Sequence, residues 1–138
     1  MKLKSLTVLL IEDDQIEVMK LKRSIKQLGH THKVVEAKNG EDALQQLTSG
    51  NVLPDIILLD LNMPKINGIE FLKILKEDAK LRYIPTVILT TSENRTDLLA
   101  CYEVGIAGYI LKPLKYEDYL KKIDCTLQYW SVNELISN

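Results

Sequence analysis

The residues whose type and placement could do chemistry are carboxylates standing at the ends of apolar runs. Glu12-Asp13-Asp14 follows Leu6 to Ile11 (LTVLLI), and Asp60 follows Ile56 to Leu59 (IILL). A carboxylate that ends a buried run is costly without a partner, so each of these asks for one. Two further runs end in polar groups of other kinds. Thr90-Thr91-Ser92 follows Thr86 to Leu89, and Lys112 follows Gly108 to Leu111. Clustered carboxylates raise one another's pKa unless a cation sits among them. Hard oxygen donors with neither His nor Cys beside them favour Mg2+. A carboxylate next to such a cation and a lysine can attack phosphorus to give an aspartyl phosphate, and a threonine hydroxyl within reach can bond the new phosphoryl group.

The elements that must position these groups can be read from the pattern. The short apolar runs, bounded by turn residues, read as strands buried on both faces, as in a parallel sheet. Lys33 to Ala37 is a further short strand. Between the strands the spacing becomes helical, first through Val18, Leu21, Ile25 and Leu28 with Gly29 as the stop. Asn39 is a good N-cap for a helix through Ala43, Leu44 and Leu47, ended by Ser49-Gly50. Gly68 to Ala79 is expected to be helical, with Ile69, Leu72, Leu75 and Ala79 on one face. Thr96 to Val104 is a helix closed by Gly105. The last, from about Glu117, carries Leu120, Ile123, Leu127 and Trp130. Strands alternating with helices through short loops predict βαβ units and a parallel, doubly wound sheet. All strands of such a sheet point one way, so Glu12, Asp13, Asp14, Asp60, Thr90 and Lys112 should gather at one edge, where ligands bind. Pro64 and Asn67-Gly68 should turn the chain out after Asp60.

Singly, each group has an ordinary reading. An acid pair favours a helix N-terminus, Thr90 satisfies backbone at a strand end, Tyr109 is a half-buried strand aromatic, and Lys112 is a solvated charge. Asp60 is the hardest to explain that way, and the convergence is more informative than any one residue.

A chain of 138 residues suits one domain with a real core. Its 46% apolar and 27% charged content is that of a globular protein, and a net charge of −1 speaks against direct nucleic-acid or membrane-surface binding. Cys101 and Cys125 lack metal-ligand spacing and read as reduced thiols of a cytoplasmic protein. The start, Met1-Lys2-Leu3-Lys4, leads into an apolar run too short for a signal peptide or a span.

In this order the motifs resemble a response-regulator receiver domain, the phospho-accepting half of two-component signalling. They are the acids after the first strand, D-L-N-M-P at 60–64, P-x-x-x-x-T at 85–90 and Y-I-L-K-P at 109–113. The resemblance covers Val8 to about Leu127. It implies a flavodoxin-like (βα)5 sandwich with strand order 2-1-3-4-5, a core over about 6–128, a helical extension to 138 and no output domain. By position, Asp60 resembles the phosphoacceptor. Glu12 and Asp13 resemble the Mg2+ pair, with Asp14 a neighbouring acid that is either a further ligand or an N-cap. The backbone carbonyl of Asn62 would add a metal ligand, and Lys112 the phosphate contact. Thr90 and Tyr109 resemble the switch pair, and Asn62, Thr91 and Ser92 lie where the family tunes dephosphorylation. Thr91 stands where Ala or Gly is common. Lys112-Pro113 usually carries a cis peptide in this family.

Within the family the chain resembles single-domain regulators of bacteriophytochrome histidine kinases. The partners implied are such a kinase or a phosphotransfer protein and a downstream protein target, with output through that target, through a homodimer or along a phosphorelay. The chain would then catalyse only its own phosphorylation and dephosphorylation. A haloacid-dehalogenase phosphatase would need a second Asp where Asn62 stands. A flavodoxin-like cofactor binder would need a Ser/Thr/Gly-rich loop where the acids after the first strand stand. A phosphorylation-independent interaction module is the remaining alternative, and the full set of Asp60, Thr90 and Lys112 speaks against it.

Overall fold

The structure is a computed structural model that describes residues 3–50, 53–63 and 66–136. The turn expected at Pro64 and the first two residues of the chain lie outside that range. Five strands run in chain order: β1 (Thr7–Ile11), β2 (Lys33–Ala37), β3 (Ile56–Leu59), β4 (Thr86–Thr90) and β5 (Gly108–Leu111). All neighbours pair in parallel, in the order β2-β1-β3-β4-β5. This is the doubly wound arrangement that the alternating pattern predicts.

Among the described residues four α-helices connect the strands and one follows β5: α1 (Gln15–Gln27), α2 (Gly40–Thr48), α3 (Gly68–Glu77), α4 (Arg95–Val104) and, after β5, α5 (Tyr116–Ser131). Four of them start on a side-chain cap, which meets backbone N–H groups that the first helical turn leaves without partners. Asp14 accepts from the N–H of Ile16, Asn39 from Asp42, Asn67 from Glu70, and Asn94 from Thr96 and Asp97. Among the described residues no helix is long and apolar enough to cross a membrane.

The side-chain alternation of a strand divides the core into two layers. Leu9, Ile11, Ile57, Leu59 and Ile88 face α2, α3 and α4, where Ala43, Leu47, Phe71, Leu72, Leu75 and Cys101 cover them. Val8, Leu10, Ile56, Leu58, Val87 and Leu89 face α1 and α5, under Val18, Leu21, Ile25, Tyr119, Ile123 and Leu127. β1, β3 and β4 are therefore apolar at nearly every position, as central strands must be.

Several expectations need correction. α3 ends at Glu77 and Ala79 is exposed, because the Asp78 carboxylate accepts the N–H groups of Lys80 and Leu81 and turns the chain into a 3-10 turn at Leu81–Tyr83. Phe71 takes the buried place on that helix. On α5 the buried stripe runs through Tyr119, Ile123 and Leu127, while Leu120 is only half-buried. Tyr119 is drawn inward at the seam with α1, where it stacks on Tyr116 and lies under the Lys20 ammonium. The helix does not continue to 138. Asn133 donates from its side chain to the carbonyl of Tyr129 at 2.6 Å and from its N–H to Trp130 at 3.2 Å, closing α5 after Ser131. The peptide bond before Pro113 is trans, the isomer that X-Pro bonds intrinsically favour.

Candidate functional site

The strand ladder continues one residue past the ends of β1, β3 and β5, and this holds the backbone of the site in register. The N–H of Glu12 donates to Ala37 at 3.0 Å, that of Asp60 to Ile11 at 3.1 Å, and that of Lys112 to Thr90 at 2.8 Å. β1 and β3 lie side by side at the centre of the sheet, so their terminal acids meet. Carboxylate oxygens of Glu12, Asp13 and Asp60 lie within 4.8 Å of one another. Asp14 is outside that cluster, with its carboxylate turned to the first turn of α1.

Lys112 crosses the sheet edge to join them. Its Nζ donates to Glu12 Oε1 at 2.7 Å and lies 3.8 Å from Glu17 Oε2. Both partners of the first contact are buried, with side chains 7% and 3% exposed. Burial pushes the Glu12 carboxyl up to about 7, against the pull of the Lys112 hydrogen bond and charge, and Asp60 adds to the rise. Burial works to lower the Lys112 pKa, but the bond and charge of Glu12, then Asp60 and Glu17, outweigh it and raise it. The ammonium is therefore fixed as a cation. Glu17 was not among the residues singled out from sequence. Its signal was weak: an acid in the first turn of a helix, which the helix dipole alone would explain.

The donor set fits a divalent cation on its own chemistry. It consists of three hard oxygen donors from adjacent strand ends, with no His or Cys among them. Asp13 is exposed and Asp60 half-buried, so the cluster opens to solvent.

On the other side of Asp60, Thr90 is completely buried at the end of β4. Its Oγ1 accepts the N–H of Ser92 at 3.3 Å. Tyr109, paired in register with Ile88, donates its hydroxyl to the carbonyl of Ser92 at 2.9 Å. Burial raises the Tyr109 pKa, with that hydrogen bond opposing. Thr91 and Asn62 are exposed at the mouth. The loop carrying Asn62 is held against α3 by Gly68, where an added Cβ would stand 2.8 Å from the Cα of Leu61 and 3.2 Å from the Asp60 carbonyl. Only glycine allows the N-terminus of α3 to come so close behind Asp60. A cavity beside this loop is lined by Asn62, Asn67, Lys73 and Asp97, and Asp97 too was not singled out from sequence.

Comparison with known proteins agrees with this geometry. Residues 8–124 match the response regulator receiver domain. The chain is 36% identical over 127 residues to the probable methanogenesis regulatory protein FilR2 of Methanothrix harundinacea, covering 89% of this chain and 82% of that protein. It is 31% identical to the response regulator Rcp1 of Synechocystis sp., covering 89% of this chain and 87% of the relative. The fold superposes on the phosphorylated cyanobacterial phytochrome response regulator RcpA with a TM-score of 0.90 at 29% identity, covering 97% of this chain and 100% of that one. Against the Mn2+-bound form of Rcp1 the TM-score is 0.86 at 30% identity, with 94% and 98% covered. The acids, the hydroxyl and the lysine thus meet on a sheet shared with these regulators over nearly its full length, and the chain belongs to the receiver domains of two-component response regulators.

Proposed function

We propose that the protein is a phospho-accepting switch whose acceptor is Asp60. The observation that carries this reading is the meeting of Glu12, Asp13 and Asp60 within 4.8 Å, with the Lys112 ammonium 2.7 Å from Glu12. A carboxylate oxygen of Asp60 attacks the phosphorus of a phosphohistidine on a histidine kinase or phosphotransfer protein. The new O–P bond forms as the P–N bond breaks, and the leaving imidazole takes its proton from solvent. Glu12, Asp13, Asp60 and the backbone carbonyl of Asn62 would hold Mg2+, which would neutralise charge on the phosphoryl oxygens. Asp14 serves α1 as its cap. Lys112, fixed as a cation, contacts the phosphoryl group from the β5 side, and the Thr90 hydroxyl bonds it from the β4 side. Asn62, Thr91 and Ser92 line the approach of the water that later hydrolyses it. The metal-bound state of Rcp1 and the phosphorylated state of RcpA, as their structures are described, support this assignment.

Engagement of Thr90 by phosphate biases the Tyr109 side chain and the face built from α4, β5 and α5, a population shift read by a downstream protein or a second copy. Likeness to Rcp1 and RcpA supports a bacteriophytochrome-type kinase as donor, in the cytoplasm. With Asn62 where a phosphatase of the aspartyl type needs a general acid, the chain turns over only its own phosphate. The test is intact mass after incubation with acetyl phosphate. A Mg2+-dependent phosphoryl adduct is expected on the unaltered protein and none on Asp60→Asn. An adduct retained in the variant would move the acceptor elsewhere.

A further inference from the structure

We propose that Asp97 is the positioning residue that ties the Thr90–Tyr109 pair to helix α4, acting through Ser92. The inference rests on the reading of Asp60 as phosphoacceptor. Ser92 has a contact on every polar atom. Its N–H donates to Thr90 Oγ1 at 3.3 Å, and its carbonyl accepts the Tyr109 hydroxyl at 2.9 Å. Its own hydroxyl donates to Asp97 Oδ2 at 2.9 Å and accepts the N–H of Asn94 at 3.4 Å.

The last two contacts form a modified capping box. In the ordinary motif the side chain three residues into the helix reaches back to the N–H of the capping residue. Asn94 caps α4 and accepts from the N–H groups of Thr96 and Asp97, so Asp97 holds the position from which the return bond would come. The return bond is not direct. The Ser92 hydroxyl is inserted between the Asn94 N–H and the Asp97 carboxylate, so the cap of α4 is completed by a residue whose backbone touches both members of the switch pair. Any movement of Thr90 toward a phosphoryl group, or of the Tyr109 ring, shifts the Ser92 backbone and with it the hydroxyl that α4 depends on. Charge adds to the link, since a carboxylate in the first turn is favourable at a helix N-terminus.

This makes Asp97 a control on how strongly α4 responds, separate from phosphoryl transfer itself. The test follows backbone amide resonances of α4 before and after acetyl phosphate with Mg2+, with intact mass measured on the same samples. Asp97→Ala is expected to form the Asp60 adduct and to show the Thr90 and Tyr109 shifts, while the α4 response falls below about half of that in the unaltered protein. Asp97→Asn, which keeps an acceptor oxygen for the Ser92 hydroxyl, is expected to restore it. A full α4 response in Asp97→Ala would overturn the proposal, as would loss of helical α4 resonances before phosphorylation, which would make Asp97 a cap and nothing more. Absence of an adduct on the unaltered protein would instead overturn the assignment of Asp60, and this inference with it.

Discussion

Lys112 is the side chain on which the charge balance of the site turns. Three carboxylates converge and, among the described residues, only this ammonium reaches Glu12, while Glu17 Oε2 is buried with no hydrogen-bond partner among them. Removing one partner of a buried ion pair is costly because the other is left charged or must take up a proton. Lys112→Met is therefore expected to lower the stability by about 3 kcal/mol, measured by urea unfolding in a chelating buffer. The double variant Lys112→Met with Glu12→Gln should recover about 1 kcal/mol or more of that loss, since the buried acid is gone as well. Simple additivity of the two substitutions would show that the pair is not coupled. Asp60 is different in kind: it is half-buried and open to the mouth, which gives it the access that the proposed phosphoryl transfer requires.

At the scale of elements, the start of β1 depends on a histidine outside the site. His32, just before β2, accepts the N–H of Leu6 on Nδ1 at 2.8 Å, so the ring must be neutral with its proton on Nε2. Burial, then the neighbouring His30, lowers its pKa from 6.5, and Asp55 opposes. The sign follows directly. The unfolded chain takes up this proton more readily than the folded one, so the contribution of neutral His32 is complete above about 6.5 and is lost as the pH falls below it. His32→Asn, which keeps an acceptor but does not titrate, is expected to show a smaller loss of urea midpoint between about pH 7 and pH 5. Glu12 titrates near the same range with the opposite sign, so the informative quantity is the difference between the two proteins. Identical pH profiles would remove His32 from the account. The other element ends are less delicate, because Asp14, Asn39, Asn67 and Asn94 each make their cap locally.

Over the whole molecule, one sheet separates two apolar layers that share no side chains, yet every strand contributes to both. A sheet of this kind cannot lose one layer and keep the other, because exposing one face of β1, β3 and β4 would leave buried strands in water. Leu72→Ala, on α3, is expected to cost about 2–5 kcal/mol. Its effect should appear equally at the far layer, where Trp130 packs, so tryptophan fluorescence and far-UV circular dichroism should report one coincident transition. Separate transitions would mean that the α1–α5 layer unfolds by itself. A molecule of this design also explains why the site sits where it does: at the carboxyl ends of β1, β3, β4 and β5 polar groups from neighbouring strands can meet without entering the core.

Much of this was legible in the sequence because the signals are local. Apolar runs of strand length, helical spacing, Asn and Asp caps and the residue after each run are short-range properties, and they place Glu12, Asp13, Asp60, Thr90 and Lys112 at one edge of a parallel sheet. The chain by itself determined which elements form, in what order, and which groups stand at their ends. It left undetermined whatever depends on a contact between distant segments. That Asp13 joins Asp60 in the cluster, and that Phe71 and Tyr119 take buried places while Leu120 lies half-exposed, were decided by packing. The end of α5 at Ser131 is instead a local matter, made by the Asn133 side chain bonding back to Tyr129. The roles of Glu17 and Asp97 belong with the features that packing decided. Each is an ordinary acid in a helix's first turn until the tertiary structure builds its surroundings: Lys112, far away in sequence, reaches Glu17, and Ser92, near Asp97 in sequence, is tied to Tyr109 on β5.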